Sequence, residues 1–281
     1  MRNCNQEILN ALFKVKDLLS DEALHEIRSF VRSQHCETGG FKDRAAKPDI
    51  YYSVFAYTLA LAYDIKLNVE KEQEFLETWN NEHDLDLVHA VCYIRCYLLL
   101  QVIQQKQKFG LKLESLNSEG FLANLAMKNL IKKAKKNCRV QFELINTYKS
   151  KDGGYNHNRH AADQATVYAS FLVWTLFQDL NEDEDILNEI SHPISNLKCS
   201  DHSFANDRSS VTGVTSATAA GLIMTLSQNS DKNRVVDYLM KNYTVRGGFK
   251  AAQDLPIADT LSTSTALLAL YMADENLQSL S

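Results

Sequence analysis

One sentence pattern is written four times in this chain: "TGGFKDRAAKPDIYYSVFAYTLALAY" from Thr38, "DGGYNHNRHAADQATVYASFLVWTLF" from Asp152, "DHSFANDRSSVTGVTSATAAGLIMTL" from Asp201 and "RGGFKAAQDLPIADTLSTSTALLALY" from Arg246. Marked by the aromatic of each copy (Phe41, Tyr155, Phe204, Phe249), the spacings are 114, 49 and 45 residues. The first gap spans two repeat lengths, and "NEHDLDLVHAVCYIRCYLLL", Asn80 to Leu100, fills its middle as a degenerate turn. Five turns of 45 to 57 residues thus account for most of the chain. A period in this range means a solenoid or a closed array of helix pairs.

Each unit alternates two kinds of helix. "IYYSVFAYTLALAY", "QATVYASFLVWTLF", "GVTSATAAGLIMTL" and "TLSTSTALLALYM" are apolar nearly all round, and such helices must be covered on most sides. "DEALHEIRSFVRSQ" and "DKNRVVDYLMKNY" are amphipathic, with apolar stripes at Leu24, Ile27 and Val31 and at Val235, Leu239 and Tyr243. Only 3 prolines and 10 glycines in 281 residues agree with helix almost throughout. The expected fold is all-α: a single domain over residues 1–281, a double-layered α/α barrel or toroid of about five helix pairs. An open solenoid would instead show polar caps and a solvated concave face.

Gly39-Gly40, Gly153-Gly154 and Gly247-Gly248 suit a chain that leaves one helix and turns back through positive φ. The aromatic that follows is placed to plug the gap between helices. Asp49, Asp163 and Asp259 recur at the start of the apolar helices and read as caps, as do Ser20 and Ser230 before the amphipathic ones.

A net charge of -5 gives no reason to expect nucleic acid or an anionic membrane as the main partner. The lysine run "NLIKKAKKNCR", Asn129 to Arg139, reads as a solvated helix face. No apolar run reaches membrane-spanning length, so stable membrane insertion is not expected. The first residues lack the apolar core of a signal peptide, and six scattered cysteines without a CxxC read as reduced thiols, so the expected location is cytoplasmic.

The run of GGF or GGY, a polar stretch, Asp and then an aromatic or small-residue helix resembles the prenyltransferase and squalene-cyclase repeat, over residues 36 to 273. That superfamily includes the β subunits of protein prenyltransferases and the β domains of terpenoid cyclases. The resemblance implies the α/α toroid fold; fold alone does not fix chemistry. Protein prenyltransferases hold zinc through an Asp-x-Cys pair and a His on the next apolar helix. By this alignment the three positions fall on Thr212, Val214 and Ser262, none a zinc donor. No metal or other cofactor is expected. Class II terpenoid cyclases use a DxDD motif, and "HDLDLVH" supplies Asp84 and Asp86 but has Leu87 in the last position.

Asp86 and His89 are three apart, on one helix face with Tyr93. The resemblance makes Asp86 the candidate general acid, and its spacing from the acid makes His89 the candidate orienter. First-turn acids stabilising a long helix would give the same pattern. Arg208, the nearest counterpart of the family's diphosphate-gripping cations, and His160 form a candidate anion clamp. Tyr52, Phe55, Tyr93, Tyr168 and Trp174 are candidates to line an apolar cavity and hold an isoprenoid-like chain. The resemblance therefore implies a metal-independent protein acting on an isoprenoid or other apolar chain, with prenyltransferase- or cyclase-like catalysis left open. The alternative is a non-catalytic toroid serving as a lipid-binding or protein-interaction scaffold, which leaves room for a protein partner.

Overall fold

In a computed structural model, the described residues are all-α apart from one hairpin of two two-residue strands. The structure describes residues 2–109, 121–227 and 231–280, so Ser230 lies outside the described residues. It divides into two compact units, Gln6–Asn146 and Thr147–Ser281 with the first five residues.

The Gln6–Asn146 unit carries most of α1 (Cys4–Leu18), then α2 (Asp21–Ser33), α3 (Ile50–Ala62), α4 (Val69–Glu82), α5 (Leu87–Phe109), α6 (Phe121–Asn137) and most of α7 (Arg139–Thr147). The other contains α8 (Val167–Asp179), α9 (Glu184–Ser191), α10 (Thr215–Thr225), α11 (Lys232–Lys241) and α12 (Thr260–Met272). α3, α5, α8, α10 and α12 are the five apolar helices, the degenerate turn supplying α5. In one unit α3 packs on α5; in the other α10 packs on both α8 and α12. Ser20 caps α2 by accepting the Ala23 N–H at 3.2 Å, as its position predicts.

The four written copies share one bridge and one anchoring hydrogen bond. In each, the residue six before the aromatic bridges back to it: His35 to Phe41, Lys149 to Tyr155, Lys198 to Phe204 and Tyr243 to Phe249. Each aromatic is buried. Its N–H, which would otherwise be unsatisfied in the core, donates to a hydroxyl one turn into the following apolar helix: Ser53, Ser170, Thr218 and Thr263, at 2.9 to 3.0 Å. In the first copy the aromatic also starts the hairpin β1 (Phe41–Lys42) with β2 (Pro48–Asp49), antiparallel in the register Phe41 to Asp49.

The helix start lies four residues before that hydroxyl. Asp49 and Asp259 stand there and cap α3 and α12, accepting from the Tyr52 and Ser262 N–H groups at 3.1 and 2.8 Å. Asp163 does not: Thr166 caps α8, and Asp163 pairs with Lys151 at 2.6 Å on the surface. The second loop is longer than the first, which moves the aspartate out of register with the helix. Val214 holds the equivalent position before α10 and caps nothing.

The third turn has no glycine pair. His202 replaces the first glycine and adopts its left-handed conformation, φ 69°. Ser203 replaces the second. In the second turn Gly154 is not at positive φ; it is needed because a Cβ there would fall 2.6 Å from the Ala165 Cβ. The third turn reverses the pair. Gly213 stands where Ala165 does, which frees space for the Ser203 side chain, and the Gly213 N–H donates to Ser203 Oγ at 2.9 Å.

Repeats are also tied to their successors. The residue six before the aromatic reaches the next helix of the outer, amphipathic kind: His35 to Glu72 on α4, Lys149 to Glu189 on α9 and Lys198 just ahead of α11, to Asp231. Tyr243 reaches the Leu280 carbonyl instead. Only the first tie is buried. Glu72, 0% exposed, accepts from His35 Nε2 at 2.7 Å, the Gly40 N–H at 2.8 Å and the Tyr57 hydroxyl at 2.7 Å. Burial would raise its pKa, but these hydrogen bonds, led by His35, outweigh it and hold the carboxyl below its usual value.

Candidate functional site

The start of α3 presents the most developed apolar surface. Asp49 caps the helix, Ile50, Ser53, Ala56 and Tyr57 are buried, and the aromatics between them reach the surface. Phe55 is 53% exposed, Tyr52 half-buried. Tyr51, which the sequence reading did not single out, meets both edge-on, with ring centroids 5.1 Å from Phe55 and 5.6 Å from Tyr52. The i, i+4 spacing of Tyr51 and Phe55 is the signal that would have found it. α8 and α12 repeat the theme more weakly: Tyr168 and Leu261, each two residues past the cap position, are exposed. Tyr168 lies edge-on to His157, 5.2 Å away. Two candidates are placed otherwise. Trp174 is fully buried, stacked on Phe171. Tyr93 is buried, and burial pushes its hydroxyl up to about 12.

The degenerate turn does bring Asp86 and His89 together. Asp86 Oδ1 accepts the His89 backbone N–H at 2.8 Å, which is the N-cap bond of α5, and faces His89 Nδ1 at 2.8 Å. Both residues reach the surface. With Nδ1–H donating to the carboxylate, the neutral ring keeps its lone pair on Nε2. Asp86 Oδ1 has two donors, so Oδ2 is the atom from which this carboxyl would give a proton. Behind the pair, Trp79 stacks on His83 at 4.0 Å and lies 6.3 Å from the His89 ring. Ala90 stands where the other turns carry the anchoring hydroxyl, so this turn lacks that anchor.

The anion-clamp candidates are not joined to each other. His160 bonds Thr147 Oγ1 through Nδ1 at 2.7 Å and lies over Tyr148, 4.1 Å between centroids. Arg208 is exposed and makes no hydrogen bond or ion pair among the described residues. Arg159 instead lines a polar cleft of about 350 Å³ with Asn156, Ala162, Asp163 and Gln164. The α8 N-terminus is not open to an anion either: Asn206 satisfies it, accepting from the Val167 and Tyr168 N–H groups at 2.9 and 3.0 Å.

The zinc positions of the related enzymes do not fit the metal here. Ser262 is buried and spends its hydroxyl on Asp259 at 2.7 Å, and Val214 and Thr212 offer no nitrogen, sulfur or carboxylate. Among the described residues no three His, Cys, Asp or Glu side chains gather as a metal site. Five of the six cysteines, all but the half-buried Cys199, are packed in the interior, and burial pushes the thiols of Cys92 and Cys138 up to about 12.

No curated protein matches the chain. Among solved structures, protein geranylgeranyltransferase-I of Candida albicans, complexed with GGPP, is similar over 99% of this chain and 86% of its own, with a TM-score of 0.62 at 13% identity. The profile of the prenyltransferase alpha-alpha toroid domain matches residues 7–94 and 216–281, more than half of the chain. The chain is an all-α member of the prenyltransferase α/α toroid family.

Proposed function

We propose that this prenyltransferase-related protein binds an isoprenoid or other apolar chain against the outward aromatic start of α3, with Tyr51, Tyr52 and Phe55 as the main contact, and that it does so in the cytoplasm and without zinc. The observation that carries the reading is the Tyr51–Phe55 edge-on pair: large rings exposed on a helix whose other faces are buried and uncharged. The geranylgeranyltransferase neighbour was solved with GGPP, which supports an isoprenoid as the ligand class. Thr212, Val214 and Ser262 support independence from zinc. A second reading adds catalysis at the degenerate turn, favoured by the 2.8 Å contact of Asp86 with His89, where Asp86 orients the ring and Nε2 or Oδ2 moves the proton.

The test is binding of a fluorescent isoprenoid to wild type and Phe55→Ser. Burying one phenyl ring is worth about 1.5–3 kcal/mol, so the variant is expected to bind about 10- to 100-fold more weakly with an unchanged melting temperature. Equal affinity would remove the ligand from α3. Product formation abolished by Asp86→Asn would support the second reading; binding without turnover in the wild type would make the protein a carrier or scaffold.

A further inference from the structure

α6 is built in two unlike halves around its axis. Leu130, Ala134 and Cys138, spaced by four, are buried on the side that packs against α5. The opposite side carries Lys128, Lys132, Lys133, Lys135 and Lys136, all exposed. The helix contains no acidic residue at all. Helix stability does not account for this. Lys135 and Lys136 in the last turn suit the helix dipole, but Lys128, Lys132 and Lys136 form a straight i, i+4, i+8 row, and like charges so placed repel. Solvated faces of stable helices intersperse both signs; here Lys128, Lys132, Lys133 and Lys136 make no hydrogen bond or ion pair among the described residues. Arg139, one turn on, shows the ordinary arrangement, paired with Glu143 at 2.7 Å. A chain of net charge -5 thus concentrates positive charge on one helix face.

We propose that this face of α6 docks peripherally on an anionic lipid surface. Five lysines on one amphipathic helix match the charge count by which polybasic segments hold phosphatidylserine-rich membranes. The cations are flexible point charges with no arginine fork or aromatic ring among them to read or stack on a nucleic acid. Val140, four residues after Lys136 in the chain and 68% exposed, adds an apolar group to the same stretch of sequence. The choice of a lipid surface also rests on the proposed apolar ligand, which partitions into bilayers. Docking here needs no membrane-spanning segment.

The experiment is co-sedimentation of the full chain with phosphatidylcholine vesicles, with and without phosphatidylserine, at low and high salt, for wild type and a Lys128→Gln/Lys132→Gln/Lys136→Gln variant. Wild type is expected to sediment only with the anionic vesicles and to be released by salt. Each lysine near such a surface contributes about five-fold, so the triple variant is expected to bind about 100-fold more weakly, with helix content by circular dichroism unchanged. Sedimentation indifferent to phosphatidylserine, no sedimentation at all, or a triple variant equal to wild type would overturn the proposal. Tighter binding to duplex DNA than to vesicles would also overturn it. Binding of the soluble isoprenoid probe reads the functional proposal separately: it should be equal in both proteins, and its absence in both would leave the vesicle result standing alone.

Discussion

The same repeat position is occupied by His35 in the first glycine turn and by Lys149 in the second, and each reaches a glutamate on the next amphipathic helix. The distances are alike, 2.7 and 2.8 Å, but the settings are not. Glu189 is half exposed and touches Lys149 through one oxygen; Glu72 is fully enclosed and also holds the Gly40 N–H and the Tyr57 hydroxyl. A repeat thus conserves the geometry of a tie while its energetic weight is set by what covers it. An exposed ion pair contributes about 0–1 kcal/mol. Removing one partner of a buried network costs about 3–5 kcal/mol, because the remaining polar groups stay dry and unpaired.

The largest expected effect follows directly. Glu72→Ala should lower unfolding free energy by about 3–5 kcal/mol, and Glu189→Ala by less than about 1 kcal/mol, read from urea melts of the full chain. Equal losses would mean that burial does not distinguish the two ties. The comparison sharpens with pH. Since the Glu72 carboxyl is held below its ordinary value of 4.5, its stabilisation is complete above that pH and is lost as pH falls through the depressed value. Glu72→Gln should therefore flatten the loss of stability in the acid range, and an unchanged acid profile would detach that loss from the buried tie.

Next in size is the exchange of small residues between the second and third turns. Gly213→Ala would bring a Cβ to 2.5 Å from Ser203 Cβ and the Phe204 carbonyl oxygen, an overpacking worth about 1–3 kcal/mol. Adding Ser203→Gly, which restores the Gly154 and Ala165 pairing, should recover part of the loss. A double-mutant cycle measures this coupling, and strictly additive losses would show that the two sites are independent.

Smaller still are two local effects. Asp86→Ala removes the cap of α5 and should cost about 1 kcal/mol, whatever it does to activity. His202→Gly should stabilise the third turn by up to about 1 kcal/mol, since the left-handed conformation that strains histidine suits glycine; a loss on substitution would assign the imidazole a role of its own.

Much of the architecture was legible in the residues. The spacing of Phe41, Tyr155, Phe204 and Phe249 marked the plugs, and all four are buried. Among the described residues, five apolar helices stand where predominantly apolar runs alternate with amphipathic ones. Of the three aspartates read as caps, Asp49 and Asp259 cap their helices and Asp163 does not. Asp163 recurs in the alignment, yet the constant spacing runs from cap to hydroxyl, always four residues, while the loop before it varies in length. Taken from Ser170, the cap falls on Thr166. The candidate site was legible in part: Phe55, Tyr52 and Tyr168 reach solvent, and Asp86 meets His89, but Tyr93 and Trp174 are core. A nearly all-apolar helix has no polar stripe to say which aromatic faces out.

By itself, then, the sequence determined the repeat, the helix pairing and family membership, because these rest on periodicity and on backbone needs that recur in every copy. Burial was decided only in three dimensions. Whether a histidine–glutamate tie is a surface pair or an enclosed network, whether an aromatic is wall or surface, and whether a lysine row stands alone all depend on which neighbours cover a side chain. Those neighbours come from elsewhere in the sequence, so no local pattern encodes them.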